Sequence, residues 1–246
     1  MPGIWRITDQ GNGISPLVDM YLIEGNEKAL LIDAGGNKEE DLAGLVSSLT
    51  DKPVSLALTH GHGDHAGGIG QFDQVFLSHK DINTLNLSFD FNIEESMVAD
   101  LKGGEIFDLG GRKLETIPVP GHPPGSMVFL DRERSLLFSG DSLGSGYFWI
   151  QLPHSTSVKA YIKALDRLDG IISGISDLRL FVGHSNQSDT ELGQEYISDL
   201  RTAAGRIVSG KATGEPFLSH IKEFRGLTAS YGQMKGFVYN PKHIYE

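Results

Sequence analysis

Residues 60–65 read His60-Gly61-His62-Gly63-Asp64-His65, three imidazoles and a carboxylate within six positions, loosened by two glycines. The whole chain has nine histidines, so this hexapeptide holds a third of them. Imidazole nitrogen and carboxylate oxygen are the ligands that borderline divalent cations such as zinc take where no thiolate is on offer. The sequence contains no cysteine. The stretch therefore reads as a metal site, and residues elsewhere in the chain decide how many metals it holds. A short apolar run, Val54–Leu58, leads through Thr59 straight into it, which places the cluster on a loop at the end of a buried strand.

At 246 residues the chain is long enough for one large α/β domain, or at most two small ones. No apolar run reaches the length of a membrane helix. The start, Met1-Pro2-Gly3-Ile4-Trp5-Arg6, lacks the charged head and apolar core of a signal peptide, so the expected compartment is cytoplasmic. A formal net charge of −11 with no basic run argues against a nucleic-acid partner, which would need clustered Lys and Arg. Two bound divalent cations would leave about −7. The expected partner is a small neutral or weakly charged molecule, neither nucleic acid nor membrane.

Hydrophobic periodicity predicts strands at Ile4–Thr8, Val18–Glu24, Ala29–Asp33, Val54–Leu58 and Val75–Leu77, with a helix over Lys38–Leu49. A second set follows the same order. Strands are predicted at Arg112–Pro118, Met127–Asp131, Ser135–Ser139 and Leu178–Val182, with helices over Val158–Leu168 and from Thr190 to about Val208, and a closing strand at Gly236–Tyr239. The repeated order suggests two similar half-domains packed face to face in a single domain. Asp81–Gly104, with apolar residues from Leu85 through Phe89, Phe91 and Ile93 to Met97, fits this plan poorly. It reads as an insertion with helical pieces, either packing over a sheet edge or serving as a lid or pocket wall.

Four segments with candidate ligands share one structural place, a Gly- or Pro-containing loop directly after a predicted strand. They are the hexapeptide, His122 in Pro120-Gly121-His122-Pro123-Pro124-Gly125, Asp141 in Ser139-Gly140-Asp141-Ser142, and His184 in Val182-Gly183-His184-Ser185. Loops at the carboxyl ends of strands are where α/β sheets place ligands. Glycine before His122, Asp141 and His184 lets the backbone turn sharply toward a common point.

His60-X-His62-X-Asp64-His65 followed by His122, Asp141 and His184 resembles the metallo-β-lactamase fold superfamily, and Asp33 in Leu31-Ile32-Asp33-Ala34-Gly35 matches the acidic residue that precedes the cluster in that family. The resemblance covers roughly residues 18–240. It implies an α/β fold, a four-layer αββα sandwich, with a metal site at one edge of the two sheets. It also implies two divalent metal ions, zinc first, with iron or manganese as alternatives. One metal is assigned to His60, His62 and His122 and the other to Asp64, His65 and His184, with Asp141 bridging. The implied nucleophile is a hydroxide shared by the metals, and Asp64 and Asp141 are the carboxylates at the reacting centre. Asp33 and Thr59 become candidates for orienting the imidazoles.

The other histidines read differently: His79 as a loop or capping residue, His220 and His243 as surface groups, and His154 as a loop residue that could face substrate. Tyr147-Phe148-Trp149 is a packing cluster close enough to Asp141 for one ring to line the pocket, and Phe224 and Tyr231 could approach the same rim. Within the family, Asp64 stands where some zinc β-lactamases have cysteine, and others lack an aspartate equivalent to Asp141. RNA-processing members carry basic elements that this acidic chain does not show. Glyoxalase II resembles the chain in ligands, but the 62 residues after His184 are too few for its C-terminal helical domain. The reading that remains is a hydrolase of a small carboxylic ester, thioester or lactone. A phosphodiesterase ranks second; an iron-dependent redox or oxygenase member, and a metal-stabilised binding module without turnover, stay open.

Overall fold

The computed structural model describes residues 1–9, 17–88, 95–219, 222 and 225–245. Phe89, Phe91, Ile93, His220 and Phe224 lie outside the described residues.

Six strands form the first sheet in sequence order: β1 (Ile4–Asp9), β2 (Val18–Glu24), β3 (Ala29–Ile32), β4 (Val54–Ala57), β5 (Val75–Leu77) and β6 (Val98–Asp100). The first three are antiparallel, and the pairs from β3 through β6 are parallel. The second sheet uses β7 (Ile106–Asp108), β8 (Lys113–Pro118), β9 (Met127–Asp131), β10 (Leu136–Gly140) and, across a crossover, β12 (Arg179–Val182), in the order β12-β10-β9-β8-β7. A third sheet has the order β11-β15-β14-β13, built from β11 (Tyr147–Ile150), β13 (Glu215–Phe217), β14 (Gly226–Tyr231) and β15 (Met234–Tyr239).

The layering follows from period-two alternation along each strand. On β2, Met20 and Leu22 face a helical layer that includes Leu42 and Val46 of α1 (Leu42–Leu49), whereas Tyr21 and Ile23 face the second sheet. On β9, Phe129 meets that inner core, whereas Val128 and Leu130 pack against α4 (Val158–Ile172) and α5 (Gln194–Val208). Helix, sheet, sheet and helix stack in that order, which is the expected αββα sandwich. The third sheet is an addition to it. It joins the α4/α5 core through Phe148, which stacks on Tyr161 with ring centroids 4.3 Å apart, and through Phe237.

Two helix starts lie later than the pattern predicts. The Asp41 side chain accepts from Gly44 N at 2.8 Å and caps α1, so residues 38–41 stay outside it. Before α5, Leu192 O accepts from Leu180 N at 2.9 Å and Gly193 bridges Arg179, so this stretch extends the edge of the second sheet before the helix begins. The 81–104 segment is tied to the body at both ends. It opens with α3 (Ile82–Ser88), whose Leu85 is buried in the outer core, and it contributes β6, the last strand of the first sheet. Among the described residues, no helix is long and apolar enough to cross a membrane.

Phe148 is fully buried between Tyr161 and Phe237. Phe148→Ala should lower the free energy of unfolding by about 3–5 kcal/mol, the cost of an aromatic cavity that cannot collapse. Urea unfolding followed by far-UV circular dichroism measures this. A loss below about 1 kcal/mol would mean that the third sheet is a loosely attached appendage.

Candidate metal centre

The four loops predicted to converge do so, and all seven side chains meet at one end of the sheet sandwich. Three groups have ligand atoms within 4.8 Å of one another: His60, His62 and His122; His60, His65 and Asp141; and Asp64, His65 and His184. The short helix α2 (Gly63–Ala66) carries Asp64 and His65, turning the second half of the hexapeptide away from His60 and His62. Asp141 lies between the groups. Its Oδ2 is 3.5 Å from His122 Nε2 and 3.2 Å from His184 Nε2, and its Oδ1 is 3.6 Å from His65 Nε2. Asp64 Oδ2 is 3.6 Å from His184 Nε2, and His62 Nδ1 is 2.9 Å from His122 Nε2.

The outer ring nitrogens fix the imidazoles. His122 Nδ1 donates to Trp149 O, and His184 Nδ1 donates to Leu17 O, each at 2.6 Å. His65 Nδ1 donates to Asp33 Oδ2 at 2.9 Å. The Thr59 hydroxyl has one proton, which it gives to Asp33 at 2.9 Å, so its oxygen accepts from His60 Nδ1 at 3.0 Å. These bonds turn the Nε2 atoms of all four rings inward. Asp33 thus anchors both His65 and, through Thr59, His60, as the sequence suggested for both residues. It does so from a left-handed backbone at φ 65°, a strained conformation for a residue with a side chain.

The glycines before the loop ligands serve two purposes. Of the three, only Gly140 has a positive φ, 47°. Gly183 supplies space instead: a Cβ there would stand 2.6 Å from Asp141 Oδ1 and 2.7 Å from His65 Cε1.

Burial and like-charged neighbours push His60 and His122 below the ordinary imidazole value and His62 down to about 3. Burial also works against protonation of His65 and His184, but the carboxylates outweigh it. Asp33, Asp141 and Asp64 hold His65 well up, and Asp141 with Asp64 raises His184 to about 9. Burial disfavours the Asp141 carboxylate, yet His184 and His65 beside it hold its carboxyl well below the usual range. Half the cluster is electron-rich and neutral, and the other half draws in positive charge. His60 Nε2, His65 Nε2 and Asp141 Oδ1 are buried without a hydrogen-bond partner. Buried polar atoms left unpaired and aimed into one space, in an N/O donor set, fit divalent cations.

Other expectations fare unevenly. Phe148 is core, and the Trp149 ring packs against Tyr147 and Phe217 (centroids 5.8 and 5.1 Å apart). What Trp149 gives His122 is its carbonyl. Tyr231 sits beneath the Arg206 guanidinium against the α5 core. His154 is exposed at φ 71° and precedes Ser155, whose hydroxyl donates to His122 O at 2.6 Å. His79 is not a cap but opens a single 3-10 turn between β5 and α3, its backbone N–H donating to the Asp100 carboxylate at 2.9 Å. His243 is half-buried, and its carbonyl accepts from Val158 N at the start of α4.

Sequence reasoning missed Leu17 and Trp149, because a backbone carbonyl leaves no trace in residue type. It also missed Asp81. This fully buried carboxylate accepts from Gly125 N at 2.6 Å and Gly61 N at 3.3 Å.

These layers, with a His/Asp cluster that could hold metal at the edge of two packed sheets, place the chain in a class of α/β sandwich proteins. The metallo-beta-lactamase superfamily description matches residues 16–171, and the chain belongs to that superfamily, whose members generally bind divalent metals. It is 27% identical over 236 residues to the acyl-coenzyme A thioesterase MBLAC2 of Homo sapiens, covering 80% of this chain and 84% of that protein. It is 28% identical over 191 residues to the atrochrysone carboxyl ACP thioesterase of Claviceps purpurea, covering 75% of this chain and 56% of that protein. Among solved structures, a metallo-beta-lactamase from Pontibacter korlensis superposes with TM-score 0.64 at 20% identity, covering 83% of this chain and 96% of that one. An archaeal superfamily protein from Sulfolobus tokodaii superposes with TM-score 0.61 at 20% identity, covering 90% and 91%.

Burial raises the Asp81 carboxyl from 3.8 to about 6, with its two amide bonds only partly offsetting the desolvation. The folded chain therefore binds this proton more tightly than the unfolded chain. Stability from the group is greatest below pH 4 and falls, by up to about 3 kcal/mol, as pH rises to 6. Asp81→Asn has no proton to titrate there. In urea unfolding of the metal-free proteins, the difference between wild type and variant should change by about 2 kcal/mol between pH 4 and 6 and stay level above pH 7. A level difference throughout would show an ordinary, unperturbed carboxyl.

Proposed function

We propose that this hydrolase cleaves small-molecule thioesters at a binuclear centre, with zinc the first choice of metal. In this reading His60, His62 and His122 hold one cation, Asp64, His65 and His184 hold the second, and Asp141 bridges them. The observation that carries it is the Asp141 carboxylate, within 3.2–3.6 Å of Nε2 atoms belonging to both groups. Bound there, the cations would polarise a carbonyl and lower the pKa of a water toward about 7.

The chain's own part is to hold the reacting groups still and keep the site dry. Thr59, Asp33, Trp149 O and Leu17 O fix four imidazole planes. His62 and Asp64 are half-buried and the other five candidate ligands are buried, so the site opens on the side of these two.

Two considerations favour a thioester over an oxygen ester. The first is that two of the similar proteins named above are an acyl-coenzyme A thioesterase and an atrochrysone carboxyl ACP thioesterase. The second is chemical. Four of the five imidazoles have Nδ1 committed outward and Nε2 turned into the cluster, so once those Nε2 atoms hold cations they have no nitrogen left to protonate a leaving group. A thiol, with a pKa of about 8.5, departs as the thiolate without such help, whereas an alkoxide resembles hydroxide, from water at about 15.7.

Elemental analysis joined to a panel of acyl-coenzyme A thioesters, aryl and alkyl esters, lactones and phosphodiesters tests the reading. The expected result is about two metals per chain, thioesters turned over fastest, and at least a hundredfold loss in Asp141→Ala, beyond the roughly 10–100-fold effect of an outer partner. One metal per chain with undiminished activity in Asp141→Ala would sink the binuclear assignment. Phosphodiester turnover without thioester turnover would move the chain to the runner-up class.

A further inference from the structure

Two of the loops that carry the three-histidine group come from different sheets. His60 and His62 follow β4 of the first sheet, and His122 lies between β8 and β9 of the second. That triangle is closed by contacts across the two sheets, among them His62 Nδ1 at 2.9 Å from His122 Nε2 and Met127 N donating to Thr59 O at 2.8 Å, and a buried carboxylate crosses the same gap. That carboxylate belongs to Asp81. Its own N–H donates to Ser78 O at 2.9 Å, which fixes it at the start of α3. One carboxylate oxygen then takes the amide of Gly125, three residues after His122, and the other takes the amide of Gly61, between His60 and His62. The approach leaves no room for side chains. A Cβ on Gly125 would lie 2.5 Å from Asp81 Cγ, and one on Gly61 would lie 2.7 Å from Asp81 O.

The other group is anchored elsewhere. His65 is held by Asp33, and His184 by Leu17 O, with its own N–H donating to Ser145 Oγ at 3.1 Å and the next N–H, of Ser185, donating to Asp19 at 2.9 Å. None of these contacts involves Asp81.

We infer that Asp81 is a positioning residue for the His60/His62/His122 metal site, a buried carboxylate clamp that joins the two ligand loops across the sheets and leaves the Asp64/His65/His184 site alone. This rests on the proposal that each group holds a cation. It gives the start of the 81–104 segment a supporting role beneath the site. Gly61 and Gly125 are then the small residues the clamp needs.

The test is zinc affinity, measured by competition with a chromophoric chelator on the full chain, in wild type, Asp81→Ala, Asp81→Asn and Gly125→Ala. A parallel series loaded with cobalt(II) reads the ligand field of each site by visible absorption. His62→Ala and Asp64→Ala identify which binding step belongs to which group. The clamp predicts that Asp81→Ala weakens the His62-dependent step about 10–100-fold and alters its cobalt spectrum, while the Asp64-dependent step stays within about threefold. Asp81→Asn, which keeps one acceptor oxygen, should fall between wild type and alanine. Gly125→Ala, which wedges the loop from the intact carboxylate, should reproduce the same one-sided loss.

Equal weakening of both steps would make Asp81 a general structural residue and overturn the inference, as would unchanged affinity in all three variants. Should Asp81→Ala fail to fold, the isosteric Asn variant and Gly125→Ala decide the matter on the same criterion. Failure of the underlying reading looks different: wild type would show no zinc-binding step that His62→Ala removes.

Discussion

Desolvation is the constraint on which the rest of this structure depends. Five imidazoles and two carboxylates occupy one small volume, and His60 and His65 within it are fully buried. Water no longer stabilises the charged forms, so each polar atom needs a partner inside the protein. The chain answers on the outer side of the cluster with a carbonyl, a hydroxyl or a carboxylate for each Nδ1 of the four anchored rings. On the inner side it leaves His60 Nε2, His65 Nε2 and Asp141 Oδ1 without a partner. That cost adds nothing to stability, and the unpaired N/O set it leaves is one that fits divalent cations.

The outer partners tie distant parts of the chain to the centre. Leu17 precedes β2, Asp33 follows β3, and Trp149 lies on β11 of the third sheet. Tyr161 stacks on Phe148 while its hydroxyl donates to Ser142 O, one residue after Asp141, at 2.9 Å. The third sheet and α4 therefore belong to the support of the centre, even though they contribute no candidate ligand.

How much of this was legible in the sequence follows from the same division. The candidate ligands were legible because titratable side chains of rare type cluster and recur after strands. Val18–Glu24, Val75–Leu77 and Met127–Asp131 were legible to the residue because they are short apolar runs with clear borders. The third sheet was largely hidden. Gly226–Tyr231 has no strong alternation, and Tyr147-Phe148-Trp149 reads as an aromatic cluster because three large rings mask a strand in which only the middle one is core. The orienting carbonyls were hidden altogether. Asp81 was visible only as the first residue of an awkward segment, since nothing in its neighbourhood in sequence points to Gly61 or Gly125.

A site assembled this way separates what must stay from what can change. Its geometry is set by backbone atoms and by a few buried side chains at strand ends, each committed by hydrogen bonds whose partners tolerate little movement. The Sulfolobus protein keeps the fold over nine-tenths of this chain at 20% identity, as expected where packing pattern and main-chain contacts matter more than the identity of most residues. The exposed loop with His154 and the partly exposed rings of Tyr147, Trp149 and Phe217 lie beside the His122 segment, which Trp149 O and the Ser155 hydroxyl hold, and none of them supplies a candidate ligand. Those groups are held by the scaffold yet are not needed to close it, so they can differ between relatives while the centre remains.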